Sequence, residues 1–347
     1  MSKQSSYVSG WDIGGAHLKV ARCDHEGQLI EVKQFLCPLW QGLDQLENAI
    51  KAVQTELNNH NDLTAITMTG ELVDLFANRE TGVAEILDCV SRLIPQQHCQ
   101  VYAGQQGWLS FDDAKREWYQ VASRNWQASA NFVASKITNS VFIDLGSSTC
   151  DIIPIISNQV VASGYDDHHR QISRELLYTG MVRTPLIALT SVAPFNGQLM
   201  SLAAEVFATT GDVWVMLDQL NPNEILDNAA DGQSWNKTNC ACRLARLLGT
   251  DANDVDLATW QLLAKWFAQQ QVHQITNAIL QVLSGHPHQQ NHTIVGAGIG
   301  RFIIKQCAAQ LGYDYIDFAT LCQPELTAAA DHAPAVAVAL LAWQELT

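Results

Sequence analysis

Basic residues are scarce in this sequence. Its 347 residues carry 20 Lys and Arg against 35 Asp and Glu, a formal net charge of −15. That balance argues against a nucleic-acid partner or an anionic membrane surface, since both are bound through a basic field. Long apolar runs are missing as well. None reaches the roughly 20 residues that a membrane span needs. No charged-then-apolar leader is visible: Met1 to Ser6 is short and polar and a strand starts at once, so we expect a cytoplasmic protein. The nine cysteines form no framework. Their number is odd, and Cys240-x-Cys242 lacks a second pair at zinc-site spacing, so reduced thiols and small helix residues are expected. Lysine is sparse beside plentiful Gln and His, which leans toward a mesophilic source. Apolar material is abundant at 47%, in a chain long enough for two domains of ordinary size.

An acidic protein that binds phosphate must do so locally. One stretch looks built for that. Val141-Phe142-Ile143-Asp144 reads as a strand, a turn of small residues follows from Gly146 to Cys150, and Ile152 to Ile156 reads as the returning strand. Glycine lets the backbone approach a ligand. Consecutive N–H groups in a turn make a concave anion site. Ser147, Ser148 and Thr149 add hydroxyl donors. An ionised Asp144 at the strand end suits a metal ion or its bound water. Val8 to Ala21 repeats the design, with Asp12-Ile13-Gly14-Gly15 aligning on Asp144-Leu145-Gly146-Ser147. Two such hairpins suggest an internal duplication that holds one phosphate group between two lobes. A third stretch, Thr293-Ile294-Val295-Gly296-Ala297-Gly298-Ile299-Gly300-Arg301-Phe302, reads as strand, Gly-rich turn and helix start. The cations nearest these motifs are Lys19, Arg170, Arg174, Arg183 and Arg301.

In this order the three stretches resemble the phosphate-1, phosphate-2 and adenosine motifs of the actin-like ATPase superfamily. That resemblance implies an α/β, two-lobed, ribonuclease H-like fold with a central cleft. We expect residues 1–136 with a closing helix at 330–347 to form lobe I, and 137–329 to form lobe II.

The rest of the chain fits an α/β pattern. Residues 7 to 37 read as a strand meander, and Leu43, Leu46, Ile50, Val53 and Leu57 place an amphipathic helix at 41 to 58. Ala65 to Thr69 is a strand. Gln100 to Ala103 is a short strand, with a hairpin expected around Trp108 to Trp118. Residues 163 to 185 read as a long loop with short helical pieces, a length that points to function in a compact domain. Leu257 to Ser284 is helical, His286-Pro287-His288 with His292 is a polar turn before the strand at Thr293, and helices follow at 301–311 and 334–344.

Finer motifs narrow the resemblance. Thr69-Gly70-Glu71-Leu72-Val73-Asp74-Leu75-Phe76, Val121 to Asn131, Gly164 to His168, and Leu177 to Pro185 resemble the hydantoinase-like proteins linked to tetrahydromethanopterin one-carbon transfer. Archaeal members of that family join an aminomethylfuran unit to γ-glutamyltyramine in methanofuran biosynthesis. Two departures stand out. Arg124-Asn125-Trp126 carries an extra residue, and Ser147 to Cys150 replaces a plainer run of Ser and Thr.

The resemblance implies a transferase. A furan-methyl diphosphate loses pyrophosphate, and a phenol oxygen takes the methylene carbon to form an ether. A small-molecule diphosphate and a phenolic acceptor are the expected partners, Mg²⁺ the expected cofactor, and a homodimer is left open. Gly14, Gly15, Lys19, Gly146, Ser147, Ser148, Thr149, Gly296 and Gly298 are assigned to phosphate; Asn131, Asp166, His168, Arg183 and Thr184 to substrate. Glu71, Asp12, Asp144 and Asp151 are the candidate catalytic carboxylates, with Asp12 and Asp144 also the candidate metal ligands. A phenol of pKa near ~10 needs a base, and Glu71, just past a strand end, is preferred. Plainer roles stay open: turn caps for the aspartates, a helix-start carboxylate for Glu71, a strand lysine for Lys19, a surface ion pair for Arg183. Two other functions stay open too. One is an ATP-dependent kinase or hydantoinase-like ATPase; the other is a nucleotide-binding scaffold without catalysis.

Overall fold

The computed structural model describes residues 7–286 and 293–347. Met1 to Ser6, and Pro287, His288 and His292 of the expected polar turn, lie outside the described residues. The first sheet comprises β1 (Val8–Ile13), β2 (His17–Cys23), β3 (Leu29–Leu36), β4 (Leu63–Met68), β5 (Cys99–Tyr102) and β6 (Trp108–Leu109). Their order is β3-β2-β1-β4-β5-β6, antiparallel from β3 to β1 and parallel from β1 to β5. Helices α1 (Leu43–Leu57), α2 (Arg79–Ser91), α3 (Phe111–Arg116), α4 (Trp118–Val121) and α5 (Asn125–Lys136) accompany it.

The second sheet repeats the plan. It comprises β7 (Ser140–Leu145), β8 (Cys150–Ile156), β9 (Gln159–Val160) and β10 (Leu176–Leu177), with helix α6 (Asp167–Ser173) before β10. A ribbon of β11 (Val192–Phe195) and β12 (Gln198–Ser201) and helices α7 (Thr210–Met216), α8 (Lys237–Leu248) and α9 (Leu257–Ser284) follow. Then β13 (Thr293–Ala297), α10 (Arg301–Leu311) and β14 (Asp314–Asp317) complete the sheet. Its order is β10-β8-β7-β13-β14. Short helices α11 (Ala319–Cys322) and α12 (Ala328–Asp331) lead to α13 (Ala333–Leu346), which returns to pack on β1, β2, β4 and α5. In both sheets an antiparallel hairpin precedes two parallel neighbours, as the duplicated motif requires.

The strands alternate because both faces of each sheet are covered. In β7, Val141, Ile143 and Leu145 enter a core with α7, α8, α9 and α10, whereas Phe142 enters one with α5 and α13. In β1, Trp11 and Ile13 face a core with α1 and α2, while Val8 faces α13. No helix among the described residues is long and apolar enough to cross a membrane. All nine cysteines are free, and Cys240 lies in α8 against Arg243.

One expectation needs correction. The chain from Trp108 to Trp118 is not a hairpin. Only Trp108–Leu109 is strand, paired with β5; Ser110 then caps α3 by accepting the Asp113 N–H. A serine N-cap starts a helix where a returning strand was expected.

Candidate active site

The two hairpins are built alike. Asp12 faces Lys19 across β1 and β2, and Asp144 faces Asp151 across β7 and β8. At the tips the Gly14 N–H donates to His17 O at 2.9 Å and the Gly146 N–H donates to Thr149 O at 3.0 Å. Both tips open onto one cleft of about 240 Å³. Asp12, Gly14, Gly15 and Lys19 line it from one side, and Asp144, Gly146, Ser147, Ser148, Thr149 and Asp151 from the other. The segment after β10 straps the second tip: the Met181 N–H donates to Gly146 O at 2.9 Å, and the Val182 and Arg183 N–H groups to Ser147 O at 3.0 Å.

The electrostatics are set by carboxylates pressed together. Burial, then Asp151 and Asp12 nearby, push Asp144 up to about 7, with Lys19 opposing. Asp12 is raised by burial against the pull of Lys19 and a hydrogen bond from Asn125. Its Oδ1 is buried without a partner. Asp151 is also raised by burial, although Arg170 donates to its Oδ1 at 2.6 Å. Arg170 is itself buried, stacks 4.1 Å over Trp126, and donates to Glu175 O at 3.1 Å.

The third motif supports the site from behind. Gly298 has φ +80°, and a Cβ there would lie 2.3 Å from Leu145 O and 2.5 Å from Asp144 Oδ1. Only glycine allows that turn to close so tightly over the second hairpin. Neither Gly298 nor Gly296, which packs on the Tyr315 ring, lines the cleft.

The residues assigned to substrate are mostly elsewhere. Asp166 is the N-cap of α6, accepting the His169 N–H at 2.9 Å, which satisfies a helix-start donor rather than a ligand. His168 is exposed on that helix. Asn131 lies further along α5, donates to the Tyr102 hydroxyl at 2.6 Å, and lines a separate cavity of about 360 Å³. The Thr184 hydroxyl accepts the Gly180 N–H at 2.8 Å and so braces the strap. Arg183 does line the cleft, but it is ion-paired with Asp227. Glu71 is buried just behind the cleft wall, where its Oε1 accepts from the Ser123 hydroxyl.

Sequence reading passed over several lining residues. Ser123, Asn125 and Trp126 lie inside the quoted 121–131 stretch, and Asp167 and Tyr178 inside the quoted 164–168 and 177–185 stretches. His17 was missed although it occupies the hairpin position of Thr149. A second cavity of about 420 Å³ shares His17, Lys19, Gly146 and Ser147 with the first and continues to Leu220, Ile225, Leu226 and Ile299. At its edge, burial, with Lys19, His17 and Arg301 nearby, pushes His332 down to about 3, so it stands neutral.

The fold is the two-lobed α/β fold of the actin-like ATPase type. The chain matches the hydantoinase/oxoprolinase family over residues 62–344 and belongs to it. A relative from Methanocaldococcus jannaschii is 33% identical over 247 residues, 70% of this chain and 72% of that protein. One from Methanococcus vannielii is 35% identical over 127 residues, 36% of this chain and 57% of that protein. Each is named (4-{4-[2-(gamma-L-glutamylamino)ethyl]phenoxymethyl}furan-2-yl)methanamine synthase. Among solved structures, nucleotide-free acetone carboxylase covers 97% of this chain and 70% of its own, at 10% identity and a TM-score of 0.58, a likeness of fold alone.

Proposed function

We propose that this protein is an ether-forming transferase. It would join an aminomethylfuran-methyl diphosphate to the phenol of a γ-glutamyltyramine- or tyrosine-type acceptor, releasing pyrophosphate, in the biosynthesis of a methanofuran-type one-carbon cofactor. The observation that carries the reading is the pair of matching hairpin tips on one cleft, with the Ser123 hydroxyl in its wall and the buried Glu71 carboxylate just behind it. The two relatives' name supports the substrate class.

In this reading the tips of the two hairpins hold the diphosphate, with Lys19 and the hydroxyls of Ser147, Ser148 and Thr149 on its oxygens. They stabilise the charge that develops as pyrophosphate leaves. Asp12 and Asp144 fit a hard divalent cation. The orphaned Asp12 Oδ1 and the partly neutralised Asp144 are two carboxylate donors for it. No group of three or more ligating side chains exists among the described residues, so phosphate oxygens and water would supply the other positions, the usual habit of Mg²⁺. Bound there, Mg²⁺ would neutralise leaving-group charge. Glu71 is the base in this scheme. The new bond joins phenol oxygen to methylene carbon, the carbon–diphosphate bond breaks, and its electron pair leaves with pyrophosphate.

The second cavity favours one other reading. Its apolar wall beside the same tips suits the base of a nucleotide, as in an ATP-dependent kinase or hydantoinase-like ATPase. One assay separates the two. Purified protein with the furan diphosphate and γ-glutamyltyramine should release pyrophosphate and the ether, seen by mass spectrometry, without ATP. ADP formed from ATP, with no ether, would overturn the synthase reading.

A further inference from the structure

The base of that scheme does not touch the cleft. Glu71 is 1% exposed, and α2 packs on the turn that carries it. Thr69 and Leu72 line the cleft on either side of it, yet Glu71 does not. Ser123 stands between. It lines the cleft, and its Oγ donates to Glu71 Oε1 at 2.9 Å. The other oxygen, Oε2, is buried without a partner.

The backbone of Ser123 is strained. Its φ is +55°, a region that a residue with a β-carbon adopts only when its surroundings impose it. The surroundings here are explicit. Ala122 bridges Met68 at the end of β4, and the chain must then turn at once into α5. Strain of this kind collects at functional sites. What it achieves here is one hydroxyl fixed between a buried carboxylate and the ligand space. The charged group that acts on Glu71 from outside is Asp167 of α6, on the cleft wall, and it disfavours ionisation. Burial is the largest cause, and with Asp167 it pushes Glu71 up to about 7 against the Ser123 hydroxyl and the backbone N–H groups of Glu71 and Ser123, which favour the ionised form. That is where a general base works best near neutrality.

We propose that Ser123 is the proton relay of the ether-forming step, carrying the acceptor's phenolic proton to Glu71. The proposal rests on the synthase reading. As the phenol oxygen bonds to the methylene carbon, its proton passes to Ser123 Oγ. The proton already on Ser123 passes to Glu71 Oε1. Ser123 ends neutral and Glu71 ends protonated. Glu71 returns the proton to solvent through the same hydroxyl after the products leave.

The test uses the full chain, the furan diphosphate and two acceptors: the ordinary phenol, and a nitro-substituted phenol that is already ionised at assay pH. Ser123→Ala and Ser123→Gly should each lower kcat by about 10²-fold or more with the ordinary phenol, the range for loss of a positioned proton acceptor. Acceptor KM should stay within a few-fold. The rise of kcat with pH near neutrality should vanish. With the nitro acceptor the loss should shrink below tenfold. Glu71→Gln, which keeps the shape and the Ser123 contact, gives the same readout should a Ser123 variant fail to fold. Full kcat in Ser123→Ala, or equal loss with both acceptors, would overturn the relay while wild-type turnover left the synthase reading intact. Wild-type protein that makes neither ether nor pyrophosphate would instead remove the reading on which the relay depends.

Discussion

Asp12 and Asp144 occupy the same place in two copies of one hairpin, but their partners differ. Asp12 looks across its strand pair at Lys19, and Asp144 looks across at Asp151. Burial is the larger cause of the rise of Asp144 to about 7, and the second copy, more crowded with negative charge, adds to it through Asp151. Asn in place of either keeps shape and loses the charge that would face a cation. Asp12→Asn and Asp144→Asn should each lower ether formation by about 10²–10³-fold, or ~2.7–4 kcal/mol, with folding intact by circular dichroism. Excess Mg²⁺ should partly restore the weaker variant. Near-full turnover in both would reduce these carboxylates to turn caps. Glu71 allows a stability test that needs no substrate. Its folded value of about 7 lies above its ordinary 4.5. The stability it contributes is therefore fully present below about pH 4.5 and lost as pH rises through about 7. Glu71→Gln cannot ionise, so its melting temperature should gain on the wild type as pH rises and level off above about pH 8. A gap that stays constant with pH would mean Glu71 is not held protonated by the fold.

At the scale of elements, what the sequence made legible was what repeats locally. The two hairpins could be aligned residue by residue because the turn fixes the spacing: Lys19 follows Asp12, and Asp151 follows Asp144, by seven positions. The amphipathic spacing of α1 and α9 was legible for the same reason. The rest depended on contacts between distant segments. Asp166 looked like a ligand beside a Tyr and two His, yet a capping side chain and a binding side chain are the same residue types. Ser123 could not be singled out, since its meaning comes from a backbone angle and from Glu71 some fifty positions earlier, as the serine oxygen's 2.9 Å contact shows. Residues 186–256, which contribute Leu220 and Glu224 to Asp227 to the wall of the second cavity, carried no motif at all. The closing helix illustrates the other side. Its apolar run was plain, but its seat was not. Gly10 of β1 lies so close to α13 that a Cβ would fall 2.2 Å from Ala335 O and 2.5 Å from Ala339 N. Gly10→Ala should force the helix away from the strand and destabilise the protein by at least ~1–3 kcal/mol, the usual cost of overpacking. Urea unfolding measures this, and an unchanged midpoint would show that α13 is not seated as described.

Across the whole molecule, the repeated strand order puts one Asp-x-Gly hairpin on each sheet, and the two tips meet at a single cleft. We propose a lobe boundary at 136/137, with 330–347 returning to the first lobe. A diphosphate gripped by both tips would then tie the lobes together, which makes ligand-linked stability a test of the architecture itself. Pyrophosphate with Mg²⁺ should raise the melting temperature of the wild type. At a hundred times its Kd a ligand that binds only the folded chain adds ~2.7 kcal/mol. The informative comparison is between the single variants. If one ligand bridges both hairpins, Asp12→Asn and Asp144→Asn should each remove most of the shift, and the double variant should remove little more, because groups that hold one ligand are not additive. Two independent half-sites would behave otherwise: each variant would remove about half the shift, and the double variant all of it. That second outcome would leave the fold untouched but would break the link between duplication and a shared diphosphate, and with it the proposal that both hairpins act on one leaving group.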